Sequence, residues 1–385
     1  MEIESISAYV DLFRDMPDIR QKGKVRHLLV DILFISMVGA MAGCQDFEEI
    51  ELFAIDCKSW FDKYLALPNG IPSHDTIERT FKWLDPKCFL QAFVKFTQMA
   101  MAQAGQGVIA IDGKTMRGTA DDTQKPLHIV SAWFSETKMV LGQVATDAKS
   151  NEITAIPALL GMLHVTNHIV TMDAMGTQKD IAELIRSKKG DYVLALKGNH
   201  PTMQGEVELF FSEERIPAWQ RQYQIQHVHH IEKGHGRNEK RDWYITDHIE
   251  WLSEKAKWAG LKSIGMCERS WETKDGQKKS DRRYFLCSIG ADPHKFAYAT
   301  RSHWGIESMH WTLDVTFNED ARRNRKDFSA ENLSILLKFA YNVHRKDHVR
   351  DMLSFKGKRI SIRRQMRRAT IRDAYLEKLM LACFE

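Results

Sequence analysis

The sequence predicts a mixed α/β fold, and three observations carry that prediction. Apolar residues recur at helical spacing from Leu29 to Met41 and again from Asp46 to Phe61. From Gly107 the period shortens to that of strands, and two apolar runs, Val108–Ile111 and Ile169–Met172, each run into an aspartate, Asp112 and Asp173. Helical spacing returns after Pro293 and carries Glu307 in TRSHWGIESMHWTLDV.

Taken in order, residues 1–104 read as a helical N-terminal domain, for which DNA binding is a candidate role. LPNGIPSHDT (Leu67 to Thr76) breaks its helices, and Ser73 or Asp75 stands where the next helix needs a cap. Residues 105–204 read as an α/β core with strands at Val108–Ile111, Leu127–Phe134 and Met139–Val144. A helix from Glu152 to Leu163 follows, then strand Ile169–Met172, helix Gln178–Lys188 and strand Tyr192–Leu196. Three meandering strands followed by helix–strand–helix–strand is the order of a ribonuclease-H-like core, in which the first and fourth strands are neighbours. Residues 205–290 alternate polar, aromatic and β-branched positions and read as a β-rich insertion, with KDGQKKSD as a hairpin tip. Residues 291–385 hold the Glu307 helix and basic C-terminal helices.

Composition narrows the classes. With 43% hydrophobic and 28% charged residues, the 385-residue chain is ordinary for a globular protein of two or three domains. Six scattered cysteines without a CxxC pair argue against a disulfide framework or zinc ribbon and fit a reducing cytoplasm. The N-terminus lacks the pattern of a signal peptide. The apolar stretch His27 to Cys44, interrupted by Asp31, reads as a buried helix rather than a membrane span. Net charge is only +4, but from Lys356 to Arg372 eight basic residues and no acid occur. Further clusters are Arg322, Arg323, Arg325, Lys326 and Arg20, Lys22, Lys24, Arg26. Such stripes suit a polyanion, and taken singly are also what a solvated helix face looks like.

Carboxylates at the ends of neighbouring strands converge on one crevice. Asp112, Asp173 and Glu307 are therefore the candidate catalytic residues and the candidate ligands of Mg²⁺, with Mn²⁺ as a substitute, since Mg²⁺ takes oxygen ligands and two such ions suit phosphodiester chemistry. Taken alone, Asp112 is equally a turn residue and Asp173 a helix cap. Asp314, Glu319 and Asp320 are rivals for the third place, and pairing with Arg301 or Arg322 is the structural alternative for Glu307. His303, Glu307, His310 and Asp314 share one helical face, and Trp304, Trp311 and Val315 another. Candidate DNA contacts are Lys197, Arg237, Arg241, Arg301, Arg322, Arg323, Arg325, Arg363, Arg364, Arg367 and Arg368. His227, His229, His230 and His235 lack the spacing of a zinc site and read as a polar strand face. The tryptophans are mainly core residues; Trp304 is a candidate for stacking on a base, with packing its favoured role.

The segments PDIRQKGKVRHLLVDILF, LPNGIPSHDTIERTF, IAIDGKTMRG, KSNEITAIPALL, VTMDAMGTQKDIA, DYVLALKGNHP, GHGRNEKR and HWGIESMHWTLDVTFNED span nearly the whole chain. In them the sequence resembles bacterial insertion-sequence transposases of the DDE type, in the branch of H-repeat-associated proteins of Rhs elements. The resemblance implies a ribonuclease-H-like catalytic domain with a β insertion, a triad on Asp112, Asp173 and Glu307, divalent metal, double-stranded DNA as partner and a homodimer in the synaptic complex, with no role for a membrane. The sequence departs from the auxiliary pattern of related transposases. Tyr298 and Arg301 have its mutual spacing, but Glu307 lies two residues beyond the expected place, and His303 and Asp314 stand where arginine and lysine are expected. Members of this branch are often resident copies, so a non-catalytic DNA-binding remnant is the alternative implied.

Overall fold

The computed structural model describes residues 6–21, 23, 25–101, 104–146, 152–212, 222–234, 237–273, 277–345 and 360–383; the side chains of 233, 234, 237 and 238 are outside this description. The chain divides into two compact units that interleave along the sequence. One comprises residues 1–105, 113–151 and 307–385; the other comprises 106–112 and 152–306.

The first unit begins with helices α1 (Ser7–Arg14), α2 (Leu29–Ala42), α3 (Phe47–Asp56), α4 (Lys58–Phe61), α5 (His74–Trp83) and α6 (Pro86–Ala100). Helix α2 is apolar all round because it is buried nearly all round. Its Asp31 is buried too, accepts the Leu67 amide at 3.2 Å, and has its pKa raised by burial. No single helix among the described residues is long and apolar enough to cross a membrane; α2 with α3 reaches that length only across a 96° bend. Ser73 does precede α5, but its side chain makes no capping bond.

Strand β1 (Val108–Met116) runs from the second unit into the first, where β2 (Leu127–Phe134) and β3 (Val140–Thr146) pair antiparallel. Helix α11 (Ser329–Arg345) is almost wholly buried. Its Phe339 ring lies 4.9–5.9 Å from those of Phe13, Phe89, Phe93 and Phe96. Asn342 of the same helix completes the β3 edge, accepting from the Val140 amide and donating to its carbonyl, each at 2.8 Å. Helices α12 (Ile362–Ile371) and α13 (Asp373–Leu381) close this unit.

The second unit is built on a large mixed sheet. Strands β1, β4 (Ile169–Met172) and β5 (Asp191–Leu196) are parallel neighbours. Next come β9 (Lys278–Cys287), β8 (Ser263–Glu272), β7 (Arg237–Thr246) and β6 (Gln226–Gly234), each antiparallel to the one before. Helices α7 (Glu152–Met162) and α8 (Lys179–Ser187) supply the crossovers. The region expected to be β-rich from residue 205 begins instead inside α9 (Pro201–Phe210), where Pro201 presets the first turn. The hairpin β8–β9 is present, while the KDGQKKSD tip lies partly outside the described residues.

The long helix α10 (Pro293–Thr316) starts in this unit and packs Phe296, Ala297 and Ala299 onto Val108, Ile169, Val193, Trp243 and Phe285 of the sheet. Gly265 on β8 permits that approach, because a Cβ there would lie 2.5 Å from the Phe296 ring. Thr300 accepts the indole N–H of the buried Trp243 at 2.8 Å, fixing the helix along the sheet.

Candidate active site

Parallel pairing of β1 with β4 places Ile111 opposite Met172, and the next residue on each strand is an aspartate, Asp112 and Asp173. Asp173 is exposed and held in orientation by a turn, since its Oδ1 accepts the amides of Met175 at 3.0 Å and Gly176 at 3.3 Å. Asp112 is half-buried.

The turns beyond β4 and β5 brace one another. Asn199 donates to the Ala174 carbonyl at 2.6 Å, Thr177 donates to the Ala195 carbonyl at 2.6 Å, and the His200 ring bonds the Thr177 carbonyl at 2.7 Å. Lys197 stands exposed in that paired turn, in the same unit as Asp173. Thr177, Asn199 and His200 are supports the sequence reading missed; the GTQKD and KGNHP segments held the signal.

Helix α10 meets β4 at His303, whose Nδ1 lies 3.0 Å from the Thr171 hydroxyl, two residues before Asp173 and on the same strand face. Burial pushes the His303 pKa down to about 4, against the opposing pull of Asp173, so the ring is neutral near pH 7. The same helix carries Trp304, whose ring lies under the guanidinium groups of Arg241, Arg283 and Arg301 at 4.5, 5.5 and 5.6 Å. Arg301 is also bonded to Glu232 at 2.6 Å.

Glu307 is exposed and lies one turn beyond His303 on α10. The three rival carboxylates are engaged elsewhere in the first unit. Asp314 is ion-paired with Lys114. Glu319, only 1% exposed, binds Lys114 at 2.6 Å, Ser334 at 2.8 Å and Lys338 at 3.4 Å. Burial opposes its ionisation, but the two lysine charges hold its pKa at about 2. Asp320 accepts the Arg117 amide at 2.7 Å, beside Gly118, where a Cβ would strike the Asp320 carbonyl at 2.6 Å. His310 is pushed down to about 3 by burial and by Lys114 and Lys338. The second stripe of α10 differs from expectation. Trp311 and Val315 are exposed, while Ile306, Met309 and Leu313 on the same stretch of the helix are buried.

The basic candidates separate by environment. Arg241, expected on a presented strand face, is instead 5% exposed and ion-paired with Glu232 and Glu239. Its neighbour Lys240 is exposed and pairs along the other face of β7 with Asp242 at 3.0 Å. Arg322 is turned inward onto the carbonyls of Gln45 and Phe317. Arg325 is half-buried, donating to the Gly118 carbonyl at 3.2 Å. Arg323, Arg363, Arg364 and Arg367 are exposed, and Arg368 lies over Tyr375 at 4.3 Å. Arg364, Arg367, Arg368 and Arg372 line an open groove of about 510 Å³ with Ile360 and Ile371. The Arg237 side chain and Lys356, Lys358 and Arg359 lie outside the described residues, as do Lys22, Lys24 and His235.

Among the described residues no group of three or more His, Cys, Asp or Glu is gathered as a metal cage. His227 bonds Asp242 at 2.9 Å and stacks on Tyr244 at 4.4 Å, as expected of a polar strand face. For a divalent cation, the adjacent carboxylates of Asp112 and Asp173 are hard oxygen donors of the right kind.

The chain matches two family models: "Transposase DDE domain" over residues 103–343 and "DDE_Tnp_1-associated" over residues 10–97. Over its full length it is 39% identical to YncI of Escherichia coli O157:H7, whose name describes a transposase, with 96% of that protein covered. It is 36% identical to YhhI of Escherichia coli strain K12, named an H repeat-associated transposase, with 99% of this chain and 98% of that protein covered. A short relative from strain K12, YbfQ, is named an inactive transposase and is 35% identical over 79 residues, 20% of this chain and 90% of its own length. Domains of this family generally use divalent metal ions and act on DNA. With a DDE domain across most of its length and similarity to H repeat-associated relatives from end to end, the chain belongs to the DDE transposase family of insertion elements.

Proposed function

We propose that this protein cleaves DNA at the ends of an insertion element and transfers the freed strands to a target, with Asp112, Asp173 and Glu307 as the catalytic carboxylates and Mg²⁺, or Mn²⁺ in its place, as cofactor. The register of β1 against β4 carries this reading, because it sets two aspartates at neighbouring ends of parallel strands. Strands β1 to β3 followed by α7, β4, α8 and β5 also support a ribonuclease-H-like core.

A divalent cation bound by these carboxylates supplies charge neutralisation at the phosphodiester and a more acidic water. The chain's own part is positioning and charge, which is most of what phosphoryl transfer asks of a protein. Asp173 arrives oriented by its turn. His303 seats α10 on Thr171, and Glu307, one turn on along that helix, is the third carboxylate of the reading. Lys197 binds phosphate as a point charge, and Arg323 with the arginines of α12 holds the duplex backbone. Hydrolysis at an element end breaks the P–O3′ bond to leave a 3′-hydroxyl and a 5′-phosphate, and attack of that hydroxyl on a target phosphodiester joins the strands as the target's own 3′-oxygen leaves as a hydroxyl. Bringing two ends together takes two copies of the chain, and the free cysteines suit a reducing cytoplasm.

The test is cleavage of labelled duplex carrying the element's own ends, with Mg²⁺ or Mn²⁺, by wild type and Glu307→Gln. Metal-dependent nicking at the ends by wild type alone supports the reading. Specific binding with no nicking by either protein overturns it in favour of a DNA-binding remnant.

A further inference from the structure

We propose that Trp311 is a DNA-contacting residue whose exposed indole stacks on a base beside the phosphodiester served by Glu307. The inference rests on the transposase reading above and deepens it by naming a base contact, and its residues all lie in the first unit. Trp311 follows Glu307 by four positions on α10, so the two share a helical face with Cβ atoms roughly 5–6 Å apart. Long side chains on a helix lean toward its N-terminus, which brings the indole over the turn that carries Glu307. Val315 is the next residue of that stripe, and Arg363 of α12 donates to its carbonyl at 3.4 Å. Carboxylate, indole, apolar side chain and guanidinium thus follow one another along one surface.

Trp311 is 63% exposed, whereas a tryptophan is ordinarily well buried. Among the described residues its ring makes no hydrogen bond and no ring contact. Trp304, the stacking candidate that the sequence suggests, already lies against three guanidinium groups. Val315, 44% exposed, extends the apolar strip that Trp311 begins. Such a strip suits a base, because every base has a π-face and the backbone beside it carries charge for a neighbouring arginine. Asp314, the other acid on this stretch of α10, is ion-paired with Lys114, so its charge is compensated. Arg363 opens the basic surface that exposed Arg364 and Arg367 continue, and that charge favours a nucleic acid over a second copy of the chain as occupant.

A cycle of paired changes in protein and DNA tests the proposal. Binding is read by fluorescence anisotropy on labelled duplex carrying the element's own end, without metal, with Glu307→Gln as the common background. Onto that background go Trp311→Ala, Trp311→Phe and, as a control, Trp83→Ala, which removes an indole 53% exposed on α5 of the same unit. The duplexes carry a single abasic site at successive positions across the terminal base pairs. Trp311→Ala is expected to weaken binding about tenfold, as for the loss of one base–aromatic stack. Trp311→Phe keeps most of the affinity and Trp83→Ala all of it. At one position an abasic site weakens binding by the parent but not by Trp311→Ala, because the stack is already gone. Losses that add at every position overturn the proposal, whether Trp311→Ala lowers Tm, splits a dimer or does neither; a wild type that still nicks the ends then remains a transposase. Coupling at one position with no nicking by wild type keeps the base contact and overturns the catalytic reading. A chain that binds no end duplex overturns both.

Discussion

Asp112 and Asp173 are successive steps beyond one register pair: Ile111 faces Met172 across parallel strands, and each strand continues into an aspartate. A parallel pair advances both chains in the same direction, so two side chains that follow paired residues emerge at the same end of the sheet. Asp112→Asn and Asp173→Asn are therefore expected to reduce end cleavage by a factor on the order of 1,000, as for loss of a preorganised charged group at a reaction centre. Duplex binding should stay within about twofold of wild type. Cleavage at wild-type rate by either variant would remove that residue from the site.

Glu307 and Glu319 should separate chemistry from stability. Glu307 is exposed, and Glu319 is buried between two lysines. Glu307→Gln is expected to abolish cleavage with Tm unchanged. Glu319→Gln should cost about 3–5 kcal/mol of stability, because Lys114 and Lys338 lose their shared counter-charge. Chemical denaturation checks this, and a stable Glu319→Gln with lost cleavage would reverse the assignment.

Acid sensitivity follows from three histidines. Burial holds His303 at about 4 and His310 at about 3, and it lowers His344, which bonds Gln365 at 3.0 Å and the Met41 carbonyl at 2.8 Å. The folded values lie below the unfolded value of about 6.5, so the unfolded chain takes up protons first as pH falls. Stability present above about pH 6.5 is then lost progressively toward pH 4, by roughly 1 kcal/mol per pH unit for each of His303 and His310, with His344 adding in the same direction. Urea unfolding at pH 7.5 and 5.5 measures this. His344→Gln should make the dependence shallower, and a profile level across that window would count against burial of neutral rings.

The arginines should divide by environment. Arg241→Ala removes the buried cation from Glu232 and Glu239, which keep Arg301 and Arg269, and it should lower stability by about 1–3 kcal/mol. Changing Arg363, Arg364 and Arg367 together to alanine should leave Tm within a degree or two while weakening duplex binding. The slope of log affinity against log salt should become shallower by about 0.9 for each phosphate that the variant no longer neutralises. An unchanged slope would place the duplex elsewhere.

Local signals make much of the fold readable in advance. Val108–Ile111, Leu127–Phe134 and Ile169–Met172 coincide with observed strands or parts of them because buried strands need continuous apolar runs. The all-apolar α2 reads as buried for the same reason. The start of the β region is misplaced by sequence alone because PTMQGEVELF has only weak helical patterning and is separated from β5 by a four-residue turn, 197–200.

What the sequence determined by itself was the identity and order of the elements from β1 to β5, the carboxylates that follow two of the apolar runs, and the family. Periodicity and strand-end chemistry are properties of neighbours in the chain. Only the tertiary structure decided which charges are spent internally. Arg241 and Arg322 look like free cations in the sequence but are turned inward, and Asp314 and Glu319 look like rival ligands but are bound to lysines. Those fates depend on partners far away in sequence, such as Lys114 and Glu319, 205 positions apart, and no local pattern encodes which distant charge will neutralise a buried one.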